Sequence, residues 1–266
     1  MLYSDHMSEQ GLTKGSALLR RSVPNMKTPD GDLPINSAAV LFSGGRDSSL
    51  AACLLASAGT RVHLFTTSNG ATIKADIADY RFNELRTSFP DTVVDRTIVS
   101  SVGLFKRIAL EGIEADFALF KKNLIPVGDA LATHTLAMQF ALNRGLDAIA
   151  SGYAQYESEF PEQMPEIIAL TRQFVAEYGL KYLTPVATYT HRKQVKRHLL
   201  DFGISTQSLE GISIFADTFS TPSPEVVASY VLAKLPICRD YLSSASETGL
   251  YRDSHLLASS SHQKDQ

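Results

Sequence analysis

Seven consecutive residues, Ser43-Gly44-Gly45-Arg46-Asp47-Ser48-Ser49, join two glycines to three hydroxyls, one cation and one carboxylate. Glycines let backbone N–H groups approach an anion with no Cβ in the way. Ser43, Ser48 and Ser49 add hydroxyl donors. Asp47 is the odd member, because a carboxylate beside phosphates calls for a Mg²⁺ ion or a nearby cation. Arg46 suits either a phosphate contact or a solvated position. The segment reads as a phosphate cradle with a metal ligand in it. It lacks the Gly-Lys-Ser/Thr ending of a Walker A loop, which disfavours γ-phosphoryl transfer of that type. It also lacks the G-x-G-x-x-G spacing of dinucleotide-binding folds.

A cradle needs a strand to deliver it and a helix to aim N–H groups at it. Ala38–Phe42 is an apolar run that suits a buried parallel strand, and Ser48–Ala58 follows as a helix stopped by Gly59. Leu50, Cys53, Leu54 and Ala58 share one face of that helix. Val62–Thr66 reads as a second strand, which places Thr66 at its carboxyl end among the nucleotide-binding candidates. The pattern then predicts a helix over Ile73–Phe89, a third strand within Thr92–Val99 and a helix over Val102–Leu110. In the second half, Asp129 is expected to cap a helix running to Arg144, and Gly145 ends it. Ala148–Ala150 is a short strand leading into Ser151-Gly152. A helix over Glu162–Tyr178, starting near Pro165, precedes an extended stretch at Tyr182–Val186. Thr190–Phe202 is a basic helix stopped by Gly203, and Ser223-Pro224-Glu225 opens a last helix through Leu235. Strand and helix alternate throughout. This argues for an α/β fold with a doubly wound, mostly parallel sheet and a C-terminal helical extension.

Composition fits such a body. Of 266 residues 44% are apolar and 20% charged, which excludes fibrous and wholly disordered classes. The net charge of -3 gives no global attraction to nucleic acid or anionic membrane. No stretch approaches the roughly 20 apolar residues of a membrane-spanning helix, and no secretory leader is expected. Two cysteines, Cys53 and Cys238, cannot build a disulfide framework or a four-thiolate zinc site. The expectation is a cytoplasmic protein with an irregular lead-in (1–36), a nucleotide-binding domain (37–205), a helical extension (206–242) and a flexible tail (243–266).

The Ser-Gly-Gly-Arg-Asp-Ser-Ser loop after a strand resembles the pyrophosphate loop of the N-type ATP pyrophosphatases. Ile125-Pro126-Val127-Gly128-Asp129, Ile149-Ala150-Ser151-Gly152-Tyr153, the run to Phe160-Pro161-Glu162 and Leu183-Thr184-Pro185-Val186 resemble the middle of the 7-cyano-7-deazaguanine synthases. The resemblance spans about Ala38 to Gly203. It implies an adenine nucleotide alpha-hydrolase-like, Rossmann-like fold and ATP cleaved to AMP and pyrophosphate. It also implies a carboxylate or carbonyl acceptor converted to an amide or nitrile, with ATP and Mg²⁺ as cofactors. Departures from that family are specific. Its four-cysteine zinc cluster has no counterpart, since the region Ser208–Leu242 offers only Cys238, so no zinc is expected. Its Arg-Asn pair falls on Gly128 and Asp129, and its Asp-Cys-Arg on Glu162, Gln163 and Met164. Those changes strike the acceptor pocket, so a changed acceptor is expected.

Around the loop, Gly152 is expected to allow close approach of nucleotide or acceptor. Tyr153, Gln155, Tyr156, Glu157 and Glu159 offer an aromatic face and carboxylates, which suit a flat, hydrogen-bonding heterocycle as well as they suit a solvated loop. His191, Arg192, Lys193, Lys196, Arg197 and His198 crowd one short helix. Arg192 matches the basic residue that follows the Thr-Pro segment in the resembling proteins, where a cation would stabilise departing pyrophosphate. The expected catalytic set is therefore Asp47, Ser48 and Arg192, with Asp47 the Mg²⁺ ligand. The nucleotide set is Ser43 to Ser49 with Thr66 and Gly152. The acceptor set is Asp129, Tyr153, Gln155, Glu157 and Glu159. The acceptor is a small-molecule or macromolecular carboxylate; a homodimer fits the composition, and nucleic acid is admitted but not indicated. Sulfur transfer to a nucleoside or tRNA and a non-catalytic nucleotide-binding subunit are the rival readings.

Overall fold

The computed structural model describes residues 34–73, 78–209, 212–213 and 221–248. β1 (Ser37–Leu41) leads into α1 (Arg46–Ser57), β2 (Arg61–Ser68) and the two-residue β3 (Thr72–Ile73). α2 (Ala78–Ser88), β4 (Val93–Ser100) and α3 (Val102–Phe105) follow, with α3 passing into a π-helical turn at Lys106–Leu110. Next come α4 (Ile113–Phe120), α5 (Ile125–Arg144), β5 (Ala148–Ala150) and α6 (Pro165–Ala176). β6 (Lys181–Leu183), α7 (Arg192–Asp201), β7 (Ile212–Ser213) and α8 (Pro224–Thr248) complete the order.

Five strands make one wholly parallel sheet in the order β4-β2-β1-β5-β6. The winding runs outward from β1 in both directions, so it reverses between β1 and β5, where such sheets leave a crevice. Both faces are covered, and alternate residues of each strand serve opposite layers. Ala38 and Val40 pack with Leu50, Leu85, Val195 and Leu199 of α1, α2 and α7. Ala39 and Ile149 pack with Met138, Phe174 and Tyr230 of α5, α6 and α8. This is the doubly wound α/β fold expected from the sequence, with its helical C-terminal part. β3 and β7 form a separate antiparallel pair through Thr72↔Ser213 and Ile73↔Ile212.

Several elements depart from the expected bounds. The segment read as the start of a helix at Ile73 is strand β3, and α2 begins at Ala78. α5 begins at Ile125, so Asp129 lies inside the helix and does not cap it. Pro126 explains the earlier start, because its fixed φ suits the first turn, and Asn123 Oδ1 accepts the Ile125 N–H at 3.1 Å. α4 has no counterpart in the expected pattern; none of its residues is buried. α8 continues through Pro236 to Thr248, beyond the expected end at Leu235 and into the expected tail. An interior proline costs about 3 kcal/mol. Val227, Tyr230, Val231, Leu235, Cys238 and Leu242 are all buried along one stripe of α8, and this burial outweighs the proline. The rest of the expected lead-in and tail lies outside the described residues. No helix among the described residues is long and apolar enough to cross a membrane.

Candidate active site

The cradle leaves the carboxyl end of β1 at the centre of the sheet and enters α1. Among the described residues no side chain caps α1, and the N–H groups of its first turn point from the helix end into the loop. Inside the loop the hydroxyls are organised around Gly45. Its N–H donates to Ser43 Oγ at 3.2 Å, and its carbonyl accepts from Ser48 Oγ at 3.3 Å and Ser49 Oγ at 2.5 Å. Ser43 is exposed and its Oγ lies 3.3 Å from Ser48 Oγ. Ser49 is completely buried, so its hydroxyl is not presented to a ligand as expected; it back-bonds within the first helical turn instead. Thr66 is likewise engaged in the framework, donating to the Phe42 carbonyl at 2.7 Å and accepting from Arg96 Nε at 3.3 Å. Arg46 is partly buried.

Two glycines are dictated by close approach. A Cβ on Gly152 would lie 2.4 Å from Ser48 N and 2.7 Å from the Asp47 carbonyl carbon. The turn after β5 therefore presses directly on the first turn of α1, and a side chain there would fill the space in front of its N–H groups. Gly44 has φ +82°, and its Cβ would lie 2.0 Å from the Leu209 carbonyl oxygen and 2.8 Å from Ala78 Cβ. Leu209 N–H donates to the Gly44 carbonyl at 3.2 Å, so the segment 205–209 lies against the cradle. That segment is held by a residue with no signal in the sequence. Arg81, fully buried, donates to the Ser205 carbonyl at 2.5 Å, to the Gln207 carbonyl, and to Glu84 at 2.8 Å. Burial pulls the Arg81 guanidinium below its ordinary pKa, with Glu84 opposing.

Asp47 is the second residue of α1, and its Oδ1 accepts the hydroxyl of Tyr156 from the 3₁₀ turn Gln155–Glu157. Burial, then the bond to Asp47, pushes the Tyr156 phenol well up, so it is a proton donor throughout the physiological range. The Arg192 guanidinium, at the start of α7, stands 5.7 Å from the Tyr156 ring centroid and 3.4 Å from Glu157 Oε1. The structure thus brings Asp47, Tyr156, Glu157 and Arg192 together across one edge of the cradle.

Asp129, Tyr153 and Glu162 gather on the α5 side of the crevice. Burial raises the pKa of Asp129, opposed by a hydrogen bond from Asn69, and its Oδ1 has no hydrogen-bond partner among the described residues. Burial also raises Glu162, with the charges of Glu157 and Asp129 adding to it. Tyr153 is pushed up by burial and by the neighbouring Tyr182, Glu162 and Asp129. Beneath the Gly152 turn, the Tyr182 hydroxyl meets Ser151 Oγ at 2.8 Å and His134 Nε2 at 3.0 Å. Burial lowers the His134 pKa to about 4, so the ring is neutral at pH 7. Gln155 and Glu159, by contrast, are exposed, whereas Asp129 and Tyr153 are partly buried. Asp129 and Tyr153 come together with Glu162, Glu157 approaches them only through Glu162, and Gln155 and Glu159 do not join them.

The donor set bears on the metal. Among the described residues no three His, Cys, Asp or Glu side chains gather to hold an ion by themselves. A single loop carboxylate suits Mg²⁺ shared with phosphate oxygens, since that ion keeps most of its shell from water and substrate. Both cysteines are buried, and burial raises both thiols above their ordinary pKa.

Residues 36–202 match DUF7411, a family of unknown function. Over 125 residues the chain is 28% identical to a phosphopentomutase of Shewanella denitrificans, covering 45% of this chain and 31% of that protein. The chain therefore spans about a third of that relative's length. A solved 4-thiouridine synthetase–RNA complex with bound ATP superposes with a TM-score of 0.55 at 16% identity, over 79% of this chain and 54% of that one. NMN synthetase from Francisella tularensis gives 0.46 at 12% identity, over 80% of this chain and 86% of that one. The first of these likenesses shows the fold, a parallel sheet with flanking helices of the adenine nucleotide alpha-hydrolase-like type.

Proposed function

This chain belongs to the DUF7411 family, whose function is unknown, and from its own site we propose an ATP-dependent adenylating enzyme that releases AMP and pyrophosphate. The observation that carries the reading is the cradle itself. At the carboxyl end of the central strand the α1 N-terminus has no side-chain cap among the described residues, and Gly152 keeps a Cβ away from its first-turn N–H groups. The first-turn N–H groups and Ser48 would bind the β,γ-phosphates. Mg²⁺, held by Asp47, supplies charge neutralisation on those phosphates when bound. Tyr156 holds the Asp47 carboxylate, and Arg192, 5.7 Å from the Tyr156 ring, would supply a cation to the negative charge that grows as pyrophosphate departs.

In the reaction an acceptor oxygen attacks the α-phosphorus, the bond from that phosphorus to the bridging oxygen breaks, and pyrophosphate leaves with the electron pair. Ammonia or an amine then displaces AMP, giving an amide; only the primary amide made from ammonia can go on to a nitrile, its oxygen attacking the α-phosphorus of a second ATP and leaving as AMP as two N–H protons are lost. Asp129, Tyr153 and Glu157 are the proposed acceptor contacts. Ionised Asp129 and Glu162 would repel an acceptor carboxylate; burial raises both, which weakens that repulsion. Gly128 and Asp129 stand where the deazaguanine synthases, whose loop this sequence resembles, carry an Arg-Asn pair, and on that ground the acceptor is proposed to differ from theirs. Sulfur transfer through a persulfide on this chain is disfavoured, because its two cysteines are buried with raised thiol pKa values.

Incubation with ATP and fractionated cell extract, followed by a mass-spectrometric search for a trapped adenylate, tests the reading. An adenylate that ammonium converts to an amide supports it. Sulfide, but not ammonium, consuming that adenylate would shift the reading to thiolation with an external sulfur donor. Tight ATP binding without any adenylate or AMP would mean a non-catalytic nucleotide-binding subunit.

A further inference from the structure

A groove of about 410 Å³ opens between the third turn of α1 and the start of α7. Leu54 and Pro185 give it apolar lining, and Tyr189 and His198 give it an aromatic pair. That pair is fixed: the rings stand at 88° with centroids 5.4 Å apart, and the Tyr189 hydroxyl meets His198 Nδ1 at 2.5 Å. The remaining polar lining is biased toward donors. Gln194 Oε1 accepts the N–H groups of Thr190 at 3.0 Å and His191 at 3.1 Å, so its amide oxygen is committed to capping α7. Its NH₂ is what a ligand would meet. Arg197 adds a guanidinium, and among the described residues no carboxylate lines the groove. Along the same helix Lys193 and Lys196 are exposed, and none of the three cations forms an ion pair among the described residues. The sole acid of α7, Asp201, comes one full turn after Arg197.

A guanidinium, an amide NH₂ and the Thr188 hydroxyl, beside an aromatic wall, fit a phosphate ester carrying a flat base. A row of three cations on one exposed helix, in a chain of net charge -3, fits a polyanion that runs along it. We propose that this groove seats one nucleotide of a single-stranded nucleic acid, with its phosphate on Arg197 and the strand continuing over Lys193 and Lys196. The site is separate from the cradle and does not rest on the ATP reading.

The test is fluorescence anisotropy with a labelled ten-nucleotide oligouridylate across a salt series, using the full-length chain. Wild type should bind at low salt with a negative slope of log K against log salt. Arg197→Gln should weaken binding about tenfold, the loss of one charge-assisted hydrogen bond. It should also flatten the slope by roughly 0.7, the value for one phosphate contact on a single strand. A Lys193→Gln, Lys196→Gln double variant should flatten it further. Melting temperatures should not move, because all three side chains are exposed. Absence of binding at low salt would overturn the proposal, as would binding that Arg197→Gln leaves unchanged. Uridine 5′-monophosphate competing as well as the oligonucleotide would also overturn it, since the row of cations would then add nothing.

Discussion

Gly152→Ala adds one methyl group where the turn after β5 meets the cradle. Its Cβ would stand 2.4 Å from Ser48 N and 2.7 Å from both Asp47 C and Ser48 Cα, all backbone atoms that no side-chain rotation can move. To regain ordinary contact, the turn and the first turn of α1 must separate by about 1 Å. Overpacking of this kind costs about 1–3 kcal/mol, which for a domain of this size lowers the melting temperature by roughly 2–12 °C. The functional loss should be larger in proportion. A displacement of about 1 Å in a positioning element can cost about 100-fold in rate, and here it falls on the N–H groups proposed to hold the phosphates. Pyrophosphate release and ATP binding by fluorescent-analogue titration, run beside a thermal melt on the same sample, measure both effects. Wild-type melting and wild-type ATP affinity together would refute the close approach and with it the role assigned to Gly152.

Asp47→Ala should abolish Mg²⁺-dependent pyrophosphate release while circular dichroism stays unchanged, because a partly exposed carboxylate at a helix start contributes little to packing. Asp95 is partly buried, which raises its pKa, but hydrogen bonds from His63 at 2.9 Å and Arg144 at 2.6 Å win and hold it at about 2. A depressed carboxylate stabilises the fold above its unfolded pKa and loses that contribution as pH falls through the folded value. Asp95→Asn should therefore lower the melting temperature at pH 7, and the gap should close between about pH 4 and pH 2. A Cys53→Ala, Cys238→Ser double variant should keep acceptor-dependent AMP release, with a stability loss of about 1 kcal/mol at Cys53 and about 1–3 kcal/mol at Cys238, where a hydroxyl replaces an equally buried thiol; a folded but inactive variant would revive sulfur transfer.

The cradle and the strand–helix order were legible because their signals are local. Apolar runs, glycine stops and the Gly-Gly pair sit within a few residues of the geometry they specify. Features built from distant segments left no such trace. Tyr156 reaches Asp47 across 109 residues, and Arg81 holds the Ser205 carbonyl across 124. Arg81 reads from sequence as an ordinary surface cation of α2; only the fold shows its side chain fully buried. The misread helix bounds have energetic causes: Pro126 sets the start of α5 ahead of Asp129, and the buried stripe of α8 carries it past Pro236. Local hydroxyls also misled at Ser49, which bonds back to Gly45 and away from the expected phosphate. In the acceptor set, Asp129 and Tyr153 are partly buried while Gln155 and Glu159 are exposed, a division that sequence spacing does not contain.

The central claim is that this cradle directs attack at the α-phosphorus of ATP. Ion-exchange separation of the products of [α-³²P]ATP and [γ-³²P]ATP, with the acceptor fraction that gives turnover, tests it most directly. The account expects AMP, or an adenylate that decays to it, from the first label and pyrophosphate from the second in equal amounts, both lost in Asp47→Ala. ADP and inorganic phosphate as the main products would contradict it.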